Sequence, residues 1–227
     1  MARFKRVETG VLTIGLISTA GYFLPSLLAR FRQEHPGVDV RLDVTRDLTK
    51  LIDRLHSNEI DLAVMGRPPR EYALRAEAFA GHPMVFICPP GHPLLGVGHP
   101  PLNALLHHPL IARELGSEVR SALDAFLKEH RMAPRIDMEI PSNETIKATV
   151  MAGLGIGFVS QHAVSAELRS GQLHLVEFEG TPIWRNWHIV HQASKVLSPA
   201  AEAFRYLMLE QGEDLIQAHG RAITHAS

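Results

Sequence analysis

Residues 11–17, VLTIGLI, form a short β-rich run bounded by Gly10 and STAG, and Phe23, Leu24, Leu27, Leu28 and Phe31 then recur at helical spacing. The run predicts a strand, and the spacing predicts a helix buried along one face. Pro25 fits that helix only inside its first turn, where a missing N–H costs nothing, so Ser18 or Thr19 is the expected cap. VDVRLDV (38–44) alternates with period two, Asp47 caps a helix carrying Leu48, Leu51, Ile52 and Leu55, and DLAVMG (61–66) is a strand that runs into Arg67-Pro68-Pro69. A β-α-β-α-β order calls for a parallel sheet with right-handed crossovers. Such sheets collect ligands at the carboxyl ends of their strands, here ISTAG (17–21) and MGRPP (65–69).

A second region repeats the alternation. HPMVFIC (82–88) and LIA (110–112) read as strands, separated by the turn-rich PPGHPLLGVGHPP (89–101). Ser117 caps a helix with Val119, Leu123, Phe126 and Leu127 inward. IDMEI (136–140) is a strand, a helix follows from Ser142, and IGFVS (156–160) is the next strand. After a short helix (162–169), LHLVEF (173–178) and WHIVHQ (187–192) are strands, and Ser198-Pro199 opens a closing helix over 199–211. The chain is therefore α/β, with residues 11–81 and 193–227 as one subdomain and 82–192 as the other. Two lobes joined by two crossings are expected to enclose a cleft, a natural place for a small molecule.

SNETIKATVMAGLGIG (142–157) closes on three glycines, and such spacing invites a phosphate loop. In a dinucleotide-binding turn, however, the glycines lie between a strand and the helix after it. Here the helix precedes them, so Gly153 reads as the residue just past a helix end, and Gly155 and Gly157 as a tight return into a strand. The other end of the stretch carries more chemistry. Ser142 or Asn143 can cap the helix, and the first-turn N–H groups over Asn143, Glu144 and Thr145 favour an anion. The same residues also read as nothing more than a well-made helix start. Arg67 and Arg113, each just after a strand, offer positive charge for a carboxylate or phosphate, or equally form surface salt bridges.

Composition removes several function classes. The 227 residues are 45% hydrophobic and 21% charged, which is ordinary globular usage, and the net charge of −1 with no long basic run argues against the chain gripping nucleic acid by itself. The one cysteine, Cys88, sits in an apolar run and reads as a buried small side chain, with neither a disulfide nor a thiolate zinc site possible. The fourteen histidines include no HExxH, and His82, His92 and His99 fall in loop-like His-Pro segments, so no metal is expected. Asp53, Asp61 and Asp124 read as solvated faces, and no nucleophile stands beside an orienting base, so no catalytic residue is assigned. Without a secretory h-region or a run long enough to span a bilayer, the expected setting is the cytoplasm, with no membrane contact.

GVLTIGLISTAGYFLPSLLARFRQEHPGVDVRL, LHSNEIDLAVMGRPP, RELGSEVRSALDAFL and SNETIKATVMAGLGIGFVSQHAV together resemble the effector-binding domain of LysR-type transcriptional regulators, over about residues 10–212. MGRPP, SNETIK and the late PIWRNWHIVH resemble the regulators of Calvin-cycle (RuBisCO) operons in particular. The resemblance implies a type 2 periplasmic-binding-protein-like fold of two Rossmann-like subdomains, no enzyme activity, and assembly as a homodimer or homotetramer. DNA would be bound only through an N-terminal helix-turn-helix absent from this chain, of which residues 1–10 would be the remnant linker. The implied effector is a small anionic metabolite rather than a cofactor, with ribulose bisphosphate, phosphoenolpyruvate and NADPH as candidates. By motif match its contacts fall on Ser18, Thr19, Gly66, Arg67, Asn143, Glu144 and Thr145, with Arg113 as a further carry-over. One departure is Glu118-Val119 after Gly116-Ser117, where the family often has Gly and Thr. An acidic side chain there would repel an anion, which favours the 18–19 and 143–145 ends. A transporter's solute-binding protein, a two-lobed enzyme and a LysR-type regulator of another pathway are the competing expectations.

Overall fold

The computed structural model describes residue 7 and residues 9–222. The expected linker remnant over 1–10 therefore lies, apart from Val7, Thr9 and Gly10, outside the described residues, as does the tail 223–227. The chain divides into two compact units, Met1–Gly81 with Asn186–Ser227, and His82–Arg185. The second crossing thus falls at 185/186, upstream of the 192/193 read from the sequence. Strand β9 runs through it unbroken, so nothing in the local composition marks the change.

In the first unit, β1 (Gly10–Ile17), α1 (Leu24–Glu34), β2 (Val38–Thr45), α2 (Leu48–His56) and β3 (Leu62–Met65) follow in order. β1 lies between β2 and β3, parallel to both, and β9 (Ile183–Gln192) adds antiparallel to β3 from Ala63↔Val190 to Met65↔His188. Alternate side chains of the strands feed two layers. Leu12, Ile14, Leu16, Leu62 and Val64 join α1 and the closing helix α6 (Pro199–Ala222), while Ala63, Met65 and Val190 join α2. Burial on both faces explains why β1 and β3 are mostly apolar, whereas β2 at the sheet edge alternates. Phe31 meets Phe204 edge-on at 5.2 Å across the α1–α6 contact, an arrangement that contributes about 1 kcal/mol beyond area burial. Asp47 caps α2 by accepting from the N–H groups of Thr49 and Lys50, as its position predicts.

Two expectations for this unit fail. Neither Ser18 nor Thr19 caps α1: a 3-10 turn spans Ser18–Tyr22, and α1 starts at Leu24 after Phe23, with no capping side chain. The reason is packing. The Phe23 ring lies 5.1 Å from Trp187 and 6.4 Å from Phe79, so core insertion of Phe23 and Leu24 sets the helix start, and Pro25 still falls within the first turn. Asp61 is no solvated face either. It accepts from Thr13 N–H at 2.9 Å and pairs with Lys195 at 3.1 Å, tying β3 to β1 and to the segment after β9.

In the second unit, β4 (Leu74–Cys88) enters from the first and pairs antiparallel with β7 (Ile156–Ser160) and with β8 (His174–Val176). β5 (Leu110–Ala112) lies parallel to β7 and to β6 (Ile136–Glu139). Helix α3 (Glu118–Glu129) covers one face over Phe86, Leu110, Ala112, Ile156 and Phe158, and α4 (Asn143–Met151) covers the other over Ile87, Ile111 and Val159. Short α5 (Ser165–Arg169) follows a 3-10 turn at Gln161–Val164. His82 lies buried in β4, in the strand expected over 82–88 and not in a loop-like His-Pro segment, and a residue before proline is biased toward such extended backbone. The glycines after α4 are structural. Gly153 has φ +81° at the helix end, and a Cβ on Gly155 would sit 2.4 Å from the Pro109 carbonyl oxygen, whose acceptor is used by Ile156 N–H at 2.9 Å.

Candidate functional site

Parallel pairing brings the predicted residues of the first unit to one sheet edge. With Leu16 opposite Val64, Ser18-Thr19 and Gly66-Arg67 leave β1 and β3 at the same end. Thr19 and Gly66 are buried, Ser18 is half-buried, and Arg67 is exposed. His188, which no motif suggested, sits beside them opposite Met65 on β9. Burial lowers its pKa, against the carbonyl oxygens of Gly66 and Asn186, which favour its protonation. The only sequence signal for it is its place near the end of a predicted strand.

The second unit assembles its strand ends differently. β5 and β6 are parallel, so Arg113 follows one and Asn143 the other at a common edge. Arg113 Nη1 donates to Asn143 Oδ1 at 2.9 Å, while Nε and Nη2 donate to Glu114 Oε2 at 2.7 Å and Oε1 at 2.9 Å. Only 4% of Arg113 is exposed. Of the two readings of Arg113, the ion pair is the one found, and it is buried rather than at the surface: the Glu114 carboxylate already balances its charge. Arg120 closes the same edge, donating to the Arg113 carbonyl oxygen at 3.1 Å and to Glu139 Oε2 at 3.0 Å. Burial disfavours the Arg120 charge, yet the bonds to Asp124 and Glu139 outweigh it and raise the pKa.

Helix α4 starts at that edge with the predicted cap. Ser142 Oγ accepts from Thr145 N–H at 3.2 Å. Asn143 is buried, whereas Glu144 and Thr145 are exposed. The Glu144 carboxylate pairs with Lys147 at 2.8 Å, and Lys147 reaches Glu167 at 2.9 Å on the other side. Burial works against the Lys147 charge, but the two carboxylates win and its pKa is raised. The three-residue spacing of Glu144 and Lys147 was readable in the sequence; Glu167, on α5, was not. This edge brings the start of α4, with its buried Asn143 and exposed Thr145, to the ends of β5 and β6. Among the described residues no group of three or more His, Cys, Asp or Glu side chains is placed to hold a metal ion.

The protein family described as LysR substrate binding domain matches residues 5–213. The chain belongs to the LysR family. Its fold is accordingly the type 2 periplasmic-binding-protein-like one. Among similar LysR proteins, the HTH-type transcriptional regulator CfxR of Cupriavidus necator is 45% identical, over 93% of this chain and 67% of its own length. The RuBisCO operon transcriptional regulator of Allochromatium vinosum is 42% identical, over 91% of this chain and 68% of its own. Among solved structures, the regulatory domain of Synechocystis PCC6803 CcmR in complex with 2-PG superposes with a TM-score of 0.82 at 36% identity, covering 88% of this chain and 96% of that one. The chain spans about two thirds of the length of the curated relatives it matches. These relatives are transcriptional regulators, so the LysR domain here is a sensing module and not an enzyme. Among the described residues no helix is long and apolar enough to cross a membrane.

Proposed function

We propose that this LysR domain senses a small phosphorylated anion and thereby modulates transcription of Calvin-cycle (RuBisCO) genes. The observation that carries the reading is the 36% identity to a regulatory domain solved with 2-PG, read as 2-phosphoglycolate. Relatives named as RuBisCO operon regulators support the pathway. The effector engages Asn143, Glu144 and Thr145 at the start of α4, where the helix dipole favours negative charge. In the first unit it engages Ser18, Thr19, Gly66 and Arg67, Arg67 being the exposed cation of that set. In the full-length regulator, DNA is held by an N-terminal helix-turn-helix, and the protein works as a homodimer or homotetramer in the cytoplasm. An effector changes such an assembly only by preferring one conformation, and a tens-fold preference corresponds to about 2 kcal/mol of coupling.

Calorimetric titration of the purified chain tests this. 2-Phosphoglycolate is the first probe, followed by ribulose bisphosphate, phosphoenolpyruvate and NADPH. Saturable binding of at least one is expected, weakened about tenfold by Asn143→Ala or by Thr19→Ala, or about 1.4 kcal/mol. No binding by any of the four, or unchanged binding in both variants, overturns the reading.

A further inference from the structure

We propose that His188 is a further recognition residue at the strand edge of the first unit, where its protonated ring donates a hydrogen bond to the anionic effector. The inference rests on the reading of Ser18, Thr19, Gly66 and Arg67 as effector contacts.

The position follows from register. β9 runs antiparallel to β3 with Met65 opposite His188, so the histidine lies at the end of β3, one residue short of Gly66. Residues directly opposite in an antiparallel pair point to the same face. Met65 and Val190 both enter the α2 layer, and His188, two residues from Val190, shares their face. Parallel β1 delivers Ser18 and Thr19 to the same end of the sheet. His188 is half-buried there, neither sealed in the core nor left to water.

The surroundings suit a charge that the ring does not carry unaided. Nδ1 is buried and meets no partner at hydrogen-bond geometry. The backbone groups that bear on the ring are the carbonyl oxygens of Gly66 and Asn186, which can only accept and so favour a ring with two N–H donors. Burial opposes that charge and prevails, which leaves the ring neutral at neutral pH. The charged groups on neighbouring elements do not reverse this. Arg67 after β3 and Arg46 before α2 are cations, and Asp47 spends its carboxylate on the N–H groups of Thr49 and Lys50. On α2, Lys50, Asp53 and His56 are exposed, and Arg54 pairs with Asp43. On β4, Arg75 and Glu77 pair with each other and Glu77 with Arg205. Arg185 and His191 of β9 alternate to the opposite face. An anion within about 4–6 Å supplies the counter-charge, and the ring takes up a proton as the anion binds.

Calorimetry of the purified chain with 2-phosphoglycolate, in two buffers of different ionisation enthalpy, reads affinity and proton uptake together. The second ionisation of a phosphate lies near about pH 6, so the probe itself changes little from pH 7 to 8. Over that range the unchanged chain is expected to bind about fivefold more weakly, because the proton that enters with the ligand becomes scarcer. His188→Gln keeps a neutral donor, and its affinity is expected to stay within twofold. At pH 7.5 it should take up at least about 0.3 fewer protons per ligand than the unchanged chain. His188→Leu, which has no donor, is expected to bind about tenfold more weakly at pH 7. Equal proton uptake and equal pH dependence in His188→Gln overturn the inference, as does unchanged affinity in His188→Leu. Melting temperatures are recorded for each variant, and should His188→Gln not fold, His188→Asn takes its place with the same expectations. These outcomes leave the effector reading standing. Failure of the unchanged chain to bind 2-phosphoglycolate or, as a second probe, ribulose bisphosphate overturns that reading and this inference with it.

Discussion

ISTAG and SNET look alike in sequence, since each puts small hydroxyl residues between a strand and a helix, yet the two units use them in different ways. In the second unit α4 begins one residue after Ser142, whose hydroxyl caps it, and an ion-paired arginine braces the adjoining Asn143. In the first unit the segment becomes a 3-10 turn, and α1 waits until Leu24, where Phe23 enters the core. A capping side chain acts over one turn, at about 1 kcal/mol. A buried aromatic contributes more, about 2–3 kcal/mol. Where both compete for a helix start, the aromatic wins. The same topology therefore delivers a polar, braced strand edge in one unit and an apolar-anchored one in the other.

The largest expected difference between the units is in acid. His82 of the second unit is held to a pKa of about 3, first by burial and then by the nearby charges of His162 and Arg185. Its folded pKa lies below the unfolded value near 6.5, so the unfolded chain takes the proton first. The stabilisation is complete above about pH 6.5 and falls by about 1.4 kcal/mol per pH unit as the pH drops toward the folded value. The first unit has one histidine of the same kind, His188, lowered by burial against two backbone hydrogen bonds that raise it, and a depressed carboxylate besides. Glu77 is lowered chiefly by its hydrogen bonds to Arg205, and what it contributes is present above its unfolded value of 4.5 and lost only below that. Urea denaturation at pH 7, 5.5 and 4.5 should therefore show a loss by pH 4.5 that His82→Phe reduces by about 3 kcal/mol. An unchanged slope in that variant would break the contrast.

Next in size are the two arginines. Arg205 is buried against Glu77 and Glu202, and Arg113 against Glu114 and Asn143. In both cases the carboxylate partners are partly exposed, so replacing either arginine with Met should cost about 2 kcal/mol, less than a fully buried pair would. Their effects on effector binding should part company, with Arg205→Met leaving affinity within threefold. A larger loss of affinity on that substitution counts against the assignment of the strand edges as the sites.

The smallest difference bears directly on the two lookalike segments. Ser142→Ala should cost about 1 kcal/mol as the loss of a true cap. Ser18→Ala should change stability by no more than about 0.5 kcal/mol. Midpoints of urea unfolding at pH 7 measure both, and equal costs would mean that Ser18 caps after all.

Much of the fold was legible. VLTIGLI, LIA and IGFVS are legible as strands because sheets covered on both faces favour mostly apolar runs, and Asp47, Ser117, Ser142 and Ser198 mark helix starts because a hydroxyl or carboxylate there satisfies N–H groups that have no other local partner. The order of helix, glycines and strand was enough to identify GLGIG as a return turn. The candidate site was legible only in its positions. Strand ends could be counted from the pattern, which placed Ser18, Gly66, Arg113 and Asn143 at their edges. What those side chains do there could not. Glu167 reaches Lys147 from α5, and Asp61 meets Thr13 and Lys195 from distant segments, through bonds that leave no periodic trace.

The amino-acid sequence by itself determined the elements, their order and the family, because apolar period, turn residues and caps act within a few residues of one another. The tertiary structure alone decided which charges are spent. The sequence leaves Arg113 open between an anion contact and a salt bridge; it pairs with its chain neighbour Glu114, and parallel pairing of β5 and β6 brings Asn143 to it as well. Likewise ISTAG looks like a cap, and is overruled because Phe23 finds Trp187 and Phe79 in the core. Local propensities are weak, about 1 kcal/mol each, and a contact made across the sheet is strong enough to reassign them.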